Sequence, residues 1–336
     1  MKDGATGQGA PTARVSTARV ATAGADSILR TADVVGDAWS WLVLREAVLY
    51  GVDRFADFQA RLGIPRSTLS ARLSQLTAGG LLTQEHERPG PAYHLTPSGT
   101  DFFGCLVVAM RWGDHWHFPA DARPQPATHL GCGRTLDAVL RCATCAEVLA
   151  AHDVVSTRAD PSDATAGPRG PRRRSPDLDL LERMRSCSIA RTLTVTGDRW
   201  SGLLIRECFF GTRRFDDFQR RLDIAPNILS GRLRRLVELG VLAKVQYETW
   251  PIRHEYRLTE KGVDLYHVPL AMLTWGRRWL ESGEPDVQLV HTPCGSSVEA
   301  ILTCAACGES IGRDDITLTS ADDTFVIPTN VALPLD

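Results

Sequence analysis

The sequence predicts an α+β protein in which one arrangement of helices and strands occurs twice. An amphipathic helix pattern at residues 65–80 returns at 225–240, and the surrounding motifs match at offsets of 160 to 163 residues. A spaced set of His and Cys residues follows each copy. We therefore expect two winged helix-turn-helix domains in tandem, each followed by a small Cys3His zinc-knuckle module.

The repeated helix has the residues expected at helix ends. Pro65 and Pro226 stand near the two starts, and Gly80 and Gly240 stand at the two ends, an asymmetry typical of helices. Leucines spaced i, i+4 and i+7 form one apolar stripe in each copy. The opposite faces are small, hydrogen-bonding or cationic, which suits a DNA groove and its phosphates. Either segment alone could be an ordinary surface helix, so the interpretation depends on what surrounds both copies.

A shorter helix precedes each repeated helix, and a hairpin follows it. The short helices end at Leu62 and Leu222 and lead into a tight connection, which is the pattern of a helix-turn-helix unit. The return strands of the hairpins end at Thr96 and Thr259. We expect these hairpins to form wings, with the first wing three residues shorter than the second.

These patterns divide the chain of 336 residues, long enough for several domains, into seven parts. We expect a disordered tail at 1–25, a first winged helix-turn-helix domain at 26–118, a first Cys/His module at 119–156, a flexible linker at 157–176, a second winged helix-turn-helix domain at 177–283, a second module at 284–316 and a C-terminal tail at 317–336.

The near-neutral net charge of −2 hides an asymmetry between the two copies. Residues 26–118 contain 8 Arg against 10 acidic residues, whereas residues 178–283 contain 18 Arg and Lys against 13 acidic residues. The second copy is therefore the better candidate for binding a polyanion. The sequence contains no run of about 18 apolar residues, so we expect no membrane span. It also shows no recognisable secretory signal. Nine Cys without such a signal indicate a cytoplasmic, reducing setting.

The pattern His-x2-Cys-x9-Cys-x2-Cys occurs twice with identical spacing. Four ligands of the Cys3His type close a tetrahedral zinc shell without an open position for chemistry. We therefore expect two structural zinc ions per chain, with the alternative that the Cys-x-x-Cys pairs are redox groups. The candidate ligands are His129, Cys132, Cys142 and Cys145 in the first module and His291, Cys294, Cys304 and Cys307 in the second.

The second copy resembles the HxlR-type winged helix-turn-helix transcription regulators of bacteria. The matching pieces are Cys187-Ser188-Ile189-Ala190, Gly197-Asp198-Arg199-Trp200, Leu204-Ile205-Arg206-Glu207, Arg214-Phe215-x-x-Phe218, Leu229-Ser230-x-Arg232-Leu233 and Tyr256-x-Leu258-Thr259-x-x-Gly262. The first copy, residues 27–116, resembles the family more loosely. Most members have a single such domain and act as homodimers, so two domains in one chain are a departure from the family pattern.

The resemblance implies a DNA-binding transcription regulator and not an enzyme, with double-stranded DNA as the partner. The repeated helix would be the recognition helix, and the two copies could form an intramolecular pseudo-dimer or take part in a homodimer. Base contacts are expected from Arg66, Ser67, Thr68, Ser70, Asn227, Ile228 and Ser230. Phosphate contacts are expected from Arg72, Arg232, Arg234, Arg235, Lys244 and Arg253.

Some members of the family sense oxidants through a Cys near the start of the domain, and Cys187 occupies that place. The aligned residue of the first copy is Asp26, so any such sensor would be one-sided. The alternative is that Cys187 is a small buried apolar residue.

Two other functions stay open on the sequence alone. One is a protein-interaction adaptor in which only the second domain binds DNA, which the acidic first copy and its Ser-rich helix face would explain. The other is a thiol-redox protein that uses the Cys-x-x-Cys pairs. The sequence shows no catalytic triad, no phosphate-binding Gly loop and no paired carboxylates in a plausible cleft.

Overall fold

The structure of the chain is a computed structural model that describes residues 27–86, 90–158, 187–280 and 287–318. The expected N-terminal tail and residues 159–176 of the expected linker lie outside the described residues, as do residues 319–336 of the C-terminal tail. The mixture of helices and strands confirms the α+β class and the tandem arrangement. In the parts of the chain described here, no helix is both long enough and apolar enough to cross a membrane.

The first half forms a winged helix-turn-helix domain followed by strands. Its elements are α1 (Ser27–Val35), α2 (Ala38–Tyr50), α3 (Phe55–Leu62), α4 (Arg66–Ala78), β1 (Leu82–His86), β2 (Pro91–Leu95), α5 (Pro97–Asp101), α6 (Phe103–His117), β3 (Ala127–His129), β4 (Ala138–Cys142), a 3-10 turn (Ala151–Asp153) and β5 (Val154–Arg158).

The second half repeats this order. Its elements are α7 (Ser188–Thr196), α8 (Arg199–Phe209), α9 (Phe215–Leu222), α10 (Pro226–Glu238), β6 (Leu242–Thr249), β7 (Ile252–Leu258), α11 (Glu260–Asp264), α12 (His267–Leu280), β8 (Val287–His291), β9 (Ser296–Ser297), β10 (Ala300–Cys304), a 3-10 turn (Arg313–Asp315) and β11 (Ile316–Leu318).

Helices α4 and α10 are the repeated helices of the sequence, and their apolar stripes are fully buried. Leu229, Leu233 and Leu236 have no exposed surface, and the three equivalent leucines of α4 have none either. Shortly after the C-terminus of each helix a glycine adopts the left-handed conformation, with φ of 78° at Gly80 and 71° at Gly240. A residue with a Cβ would be strained in this conformation. Each helix is thus held on its domain by one face and ended by its glycine.

The two halves pack against each other through equivalent elements. Helix α1 packs on α12, α7 packs on α6, and α6 contacts α12, so the buried apolar residues of both halves form one continuous core. The Trp112 indole donates a hydrogen bond to the Lys261 carbonyl at 3.1 Å, and the Trp275 indole donates one to the Ser98 carbonyl at 2.8 Å. These bonds are reciprocal, as expected of an interface with approximate two-fold symmetry.

The last Trp of each long helix repeats this exchange. The Trp116 indole donates to Asp264 and the Trp279 indole donates to Asp101, at 2.7 Å in both cases. The two domains therefore pack on each other with approximate two-fold symmetry in the described structure.

The two Cys/His modules do not fold side by side but exchange strands. Strand β4 pairs with β10, with Leu140 opposite Leu302. Strand β3 of the first module pairs with β11 of the second, and β5 of the first pairs with β8 of the second. Each of these sheets contains strands from both halves, so the modules form one joint unit beneath the two domains.

Candidate DNA-binding faces and metal centres

Helix α10 presents the polar face that the sequence predicts. The side chains of Asn227, Ile228 and Ser230 are exposed on its first two turns. Arg234 is exposed one turn further on, and its Nε lies 3.8 Å from a carboxylate oxygen of Glu238, a surface ion pair that water weakens. The outer face of α10 therefore combines hydrogen-bonding groups with a cation that is accessible from solvent.

Helix α4 presents a similar but less cationic face. Arg66, Ser67 and Ser70 are exposed, and Thr68 is half-buried. The Arg66 guanidinium lies over the Phe55 ring at 5.3 Å from its centroid, a contact that orients the arginine at the start of the helix. The first half thus has an outer face of the right shape with fewer positive charges.

Two arginines of the expected phosphate-binding set form ion pairs within their own domains. The Arg72 Nε lies 2.9 Å from Asp37, and the Arg232 Nε lies 3.2 Å from Asp198. Each aspartate also caps the N-terminus of another helix. Asp37 accepts a hydrogen bond from the Ser40 backbone at the start of α2, and Asp198 accepts one from the Ser201 backbone at the start of α8. The exposed fraction of the side chain is 11% for Arg72 and 33% for Arg232. These ion pairs therefore connect α4 to the start of α2 and α10 to the start of α8.

The second wing is the longer of the two and carries the other cations. Lys244 and Arg253 are exposed on strands β6 and β7, and the Arg253 Nε lies 3.3 Å from Glu248. In the outer part of this wing the Tyr247 ring lies with its centre 4.6 Å from the Arg214 guanidinium. The wing thus adds positive charge beside α10, whereas Arg235 on α10 itself is half-buried.

The eight expected metal ligands meet in two clusters of four. The ligand atoms in each cluster lie within 4.8 Å of one another. The first cluster is His129, Cys132, Cys304 and Cys307, and the second is Cys142, Cys145, His291 and Cys294.

This grouping corrects the expectation that each module closes its own Cys3His site. Both clusters take a His-x-x-Cys pair from one module and a Cys-x-x-Cys pair from the other. The reason is the strand exchange, because β3 ends at His129 beside β11, and β8 ends at His291 beside β5. The residues are those that the sequence predicts, but the partners are decided by the packing of the two halves.

The distances within the clusters suit a tetrahedral metal ion. The Cys132 and Cys304 sulfurs are 4.0 Å apart, and the Cys142 and Cys294 sulfurs are 3.9 Å apart. The Nδ1 atom of His291 lies 3.4 Å from the Cys294 sulfur. Sulfur ligands about 2.3 Å from a tetrahedral zinc ion lie about 3.8 Å apart, whereas bonded sulfurs lie about 2.05 Å apart. The nine cysteines are free thiols.

The protonation of the second cluster also fits a metal site. The backbone N–H of Ser296 and the side chain of His291 hydrogen bond to the Cys294 sulfur and lower the pKa of its thiol to about 6. At Cys145 the N–H of Glu147 lowers the pKa, but burial and the neighbouring sulfurs outweigh it, so the net pKa is raised. Thiols this close together cannot all ionise, because the negative charges of their thiolates repel one another. A divalent cation bound between them would neutralise that charge.

Cys187 lies at the interface of the two halves and not at the surface. Its side chain is 1% exposed, and its sulfur accepts a hydrogen bond from the Ala190 backbone at 3.4 Å at the start of α7. The Arg45 Nη1 of the first half donates to the same sulfur at 2.8 Å. Arg45 is itself buried and paired with Glu46. The contact between Arg45 and Cys187 could not be predicted from the sequence, because the two residues are 142 positions apart.

Comparison with known proteins agrees with this geometry. The model of the HxlR-like helix-turn-helix family matches residues 34–121 and 195–284, which together exceed half of the chain. A stretch of 140 residues is 44% identical to an uncharacterized HTH-type transcriptional regulator of Mycobacterium tuberculosis, covering 41% of this chain and 89% of that protein. The uncharacterized HTH-type transcriptional regulator YdeP of Bacillus subtilis is 34% identical over 94 residues, covering 28% of this chain and 73% of that protein.

A solved structure is also similar in sequence. The crystal structure of PA1607, a candidate transcription factor, shares 40% identity, and the match covers 41% of this chain and 96% of that chain with a TM-score of 0.38. The relatives described here each match less than half of this chain, whereas the family model matches both of its helix-turn-helix units in turn. The chain therefore belongs to the HxlR-like helix-turn-helix family.

Proposed function

We propose that this DNA-binding transcription regulator contacts one DNA duplex with both recognition helices, α4 and α10, as an intramolecular pseudo-dimer. The observation that supports this most is the set of reciprocal Trp hydrogen bonds between the two halves. In dimeric helix-turn-helix regulators, two-fold symmetry places the recognition helices on half-sites about one helical turn apart. Here one chain supplies both helices, so no second chain is needed to form the pair.

The two half-sites should differ in sequence because the two recognition faces differ. On α10 we assign base contacts to Asn227, Ile228 and Ser230, and phosphate contacts to Arg234 and Arg235. Asn is suited to adenine, and an exposed apolar side chain is suited to the methyl group of thymine. The operator is then asymmetric, with the tighter half-site beneath α10.

The face of α4 and the second wing complete the proposed interface. On α4 we assign base contacts to Arg66, Ser67, Thr68 and Ser70. We assign phosphate contacts to Lys244 and Arg253 of the second wing. Because Arg72 and Arg232 pair with aspartates of their own domains, we assign them the role of holding the recognition helices.

The test is a fluorescence anisotropy titration of labelled DNA from the region upstream of the gene for this protein. We expect nanomolar binding that weakens with salt, because phosphate contacts release counterions. Asn227→Ala should cost about 1–3 kcal/mol and relax specificity at one position, whereas Arg234→Ala should weaken binding to all sequences and reduce the salt slope by about 1. Arg134→Ala, an exposed arginine of the Cys/His unit, is the control that removes the same charge elsewhere. Binding that neither Asn227→Ala nor Arg234→Ala alters would refute the assigned interface.

The contribution of the first domain needs a separate experiment. If both helices contact the duplex, Arg66→Ala should weaken binding to the full operator but not to a half-site DNA that only α10 occupies. An unchanged affinity for the full operator would instead support the adaptor interpretation, in which only the second domain binds DNA.

For the two Cys/His clusters we propose zinc, two ions per chain, in structural sites. Three thiolates and one imidazole are the ligand set that zinc prefers in closed tetrahedral sites. Zinc would neutralise the crowded thiolates and cross-link the exchanged strands. Elemental analysis of protein purified without added metal should give about two zinc ions per chain. Reactive thiols together with an absence of metal would support the thiol-redox interpretation instead.

A further inference from the structure

A large cleft lies where the first domain, helix α12 of the second domain and the joint Cys/His unit meet. Its volume is about 740 Å³, within the range of about 300–1,000 Å³ that is typical of small-molecule sites. One wall is formed by α5 and the start of α6, the opposite wall by α12, and the floor by the paired strands β4 and β10. The cleft is separate from the outer faces of α4 and α10 and from the metal ligands.

The two-fold relation of the halves shows why this cleft is open. In the alignment of α6 with α12, Gly104 of the cleft wall corresponds to His267. The His267 imidazole occupies the equivalent place on the other side, where its Nε2 lies 3.1 Å from the Leu149 carbonyl oxygen. A Cβ at Gly104 would come no closer than 4.0 Å to Leu302. One side is therefore filled by an imidazole where the other has open space.

A second pair of equivalent residues differs in the same direction. Thr274 lines the cleft, and its counterpart on the other side is Arg111. The Arg111 Nε lies 2.9 Å from Asp137 of the joint Cys/His unit, and its Nη1 lies 3.1 Å from Asp264 of the second domain. The arginine therefore connects the second domain to the joint unit. Two bulky, hydrogen-bonded side chains thus fill one side, and a glycine and a threonine leave the other side open.

The lining of the open cleft indicates the chemistry of its ligand. Apolar side chains form the walls and the floor, among them Phe103, Leu140, Leu302 and Ile311. The Trp279 ring, 39% exposed, lies at the edge. The charged residues of the lining are Arg278, Arg313 and Asp101. Each of the two arginines has an acidic partner at the exposed rim, Asp101 at 2.9 Å from Arg278 and Asp314 at 3.1 Å from Arg313. Water weakens such surface ion pairs, so both guanidinium groups can bind the negative group of a flat apolar ligand.

We propose that this cleft is a one-sided binding site for a small aromatic anion, with the ring on the apolar floor and the anionic group at Arg278 and Arg313. A ligand there contacts both domains and the joint Cys/His unit at once, so its binding is coupled to their relative placement. The cleft contains none of the residues assigned to DNA contacts. Ligand binding can therefore be measured without DNA.

The test uses 8-anilinonaphthalene-1-sulfonate, an aromatic sulfonate, as the probe with the full chain. We expect saturable binding of one probe per chain, with energy transfer from tryptophan. Filling the cleft with the residues of the other side, in the double variant Gly104→His and Thr274→Arg, should weaken binding at least tenfold. Arg278→Gln should weaken binding of the sulfonate but not of uncharged N-phenyl-1-naphthylamine. Unsaturable binding, or binding that the filled variant leaves unchanged, would overturn the proposal.

The reverse exchange is the matched control. The double variant His267→Gly and Arg111→Thr opens the equivalent place, and we expect it to raise the stoichiometry from one probe to two. If the filled variant does not fold, this opened variant decides the question, and a stoichiometry that stays at one argues against the proposal. The DNA affinity of a folded filled variant should equal that of the unaltered chain, so failure of the ligand site is distinguishable from failure of the DNA interface.

Discussion

At the scale of single residues, burial decides what Cys187 can do. Its sulfur lies between the start of α7 and the Arg45 guanidinium of the other domain. A thiol reacts through its thiolate, and only where the reagent can reach it. An oxidant would therefore have to separate the two halves locally before it could reach this sulfur.

We expect Cys187 of the native protein to resist alkylation. Iodoacetamide labelling followed by peptide mass spectrometry should find Cys187 modified only after denaturation. The half-buried Cys208 should react slowly, because burial raises the pKa of its thiol to about 12. Cys187→Ala serves to confirm the assignment of the peptide. Labelling of native Cys187 at the rate of an exposed thiol would favour the sensor interpretation.

At the scale of elements, each recognition helix depends on an aspartate that it does not contain. Asp37 caps the start of α2 and pairs with Arg72 of α4, and Asp198 caps the start of α8 and pairs with Arg232 of α10. One carboxylate thus caps the start of one helix and pairs with an arginine of another. The two pairs differ in burial, and this difference makes the arrangement testable.

We expect Asp37→Asn to be more destabilising than Asp198→Asn. Asn retains the capping ability of Asp, so each change removes mainly the ion pair. Removing the partner of the mostly buried Arg72 should cost about 1–3 kcal/mol, whereas the more exposed Arg232 pair is screened by water and should cost less than about 1 kcal/mol. Urea unfolding of both variants measures the difference. Equal shifts of the two midpoints would show that burial of the ion pair is not what matters.

At the scale of the whole molecule, the two candidate metal sites connect parts of the chain that are distant in sequence. Both proposed zinc ions would join the first half to the second across the exchanged strands. Such cross-links add to the interface of the two domains, so the halves should behave as one folding unit.

Pairs of substitutions can distinguish cross-module centres from self-contained ones. Cys132→Ala with Cys304→Ala removes two ligands from one centre, so we expect one zinc ion per chain to be lost and the other to be retained on chelation. Cys132→Ala with Cys142→Ala removes one ligand from each centre, so both ions should be released early. Time courses with a colorimetric chelator measure this, and the opposite pattern would mean that each module closes its own site.

Cleavage between the halves tests the pseudo-dimer directly. A protease site inserted near residue 170 should allow complete cleavage while the two fragments continue to elute together, because the continuous core and the proposed metal sites would both hold them. The uncut chain is the size standard for this chromatography. Separation of the fragments at micromolar concentration would contradict an intramolecular pseudo-dimer.

The local features of this protein could be predicted from its sequence. The leucine stripes, the closing glycines and the repeated motifs predicted α4, α10, both wings and the tandem order, because such patterns depend on neighbours within a few residues. The eight candidate metal ligands could also be predicted, since metal-binding turns need close spacing along the chain.

Contacts between distant segments were decided only by the tertiary structure. The His-x-x-Cys and Cys-x-x-Cys pairs have the same spacing in both modules, so either partner is chemically equivalent, and only the strand exchange selects the one in the other module. For the same reason the sequence did not show that Arg72 pairs with Asp37, or that Gly104 leaves open a cleft that His267 fills on the other side. The sequence by itself determined which helices, strands and ligands form, whereas the packing of two similar halves determined which of them meet.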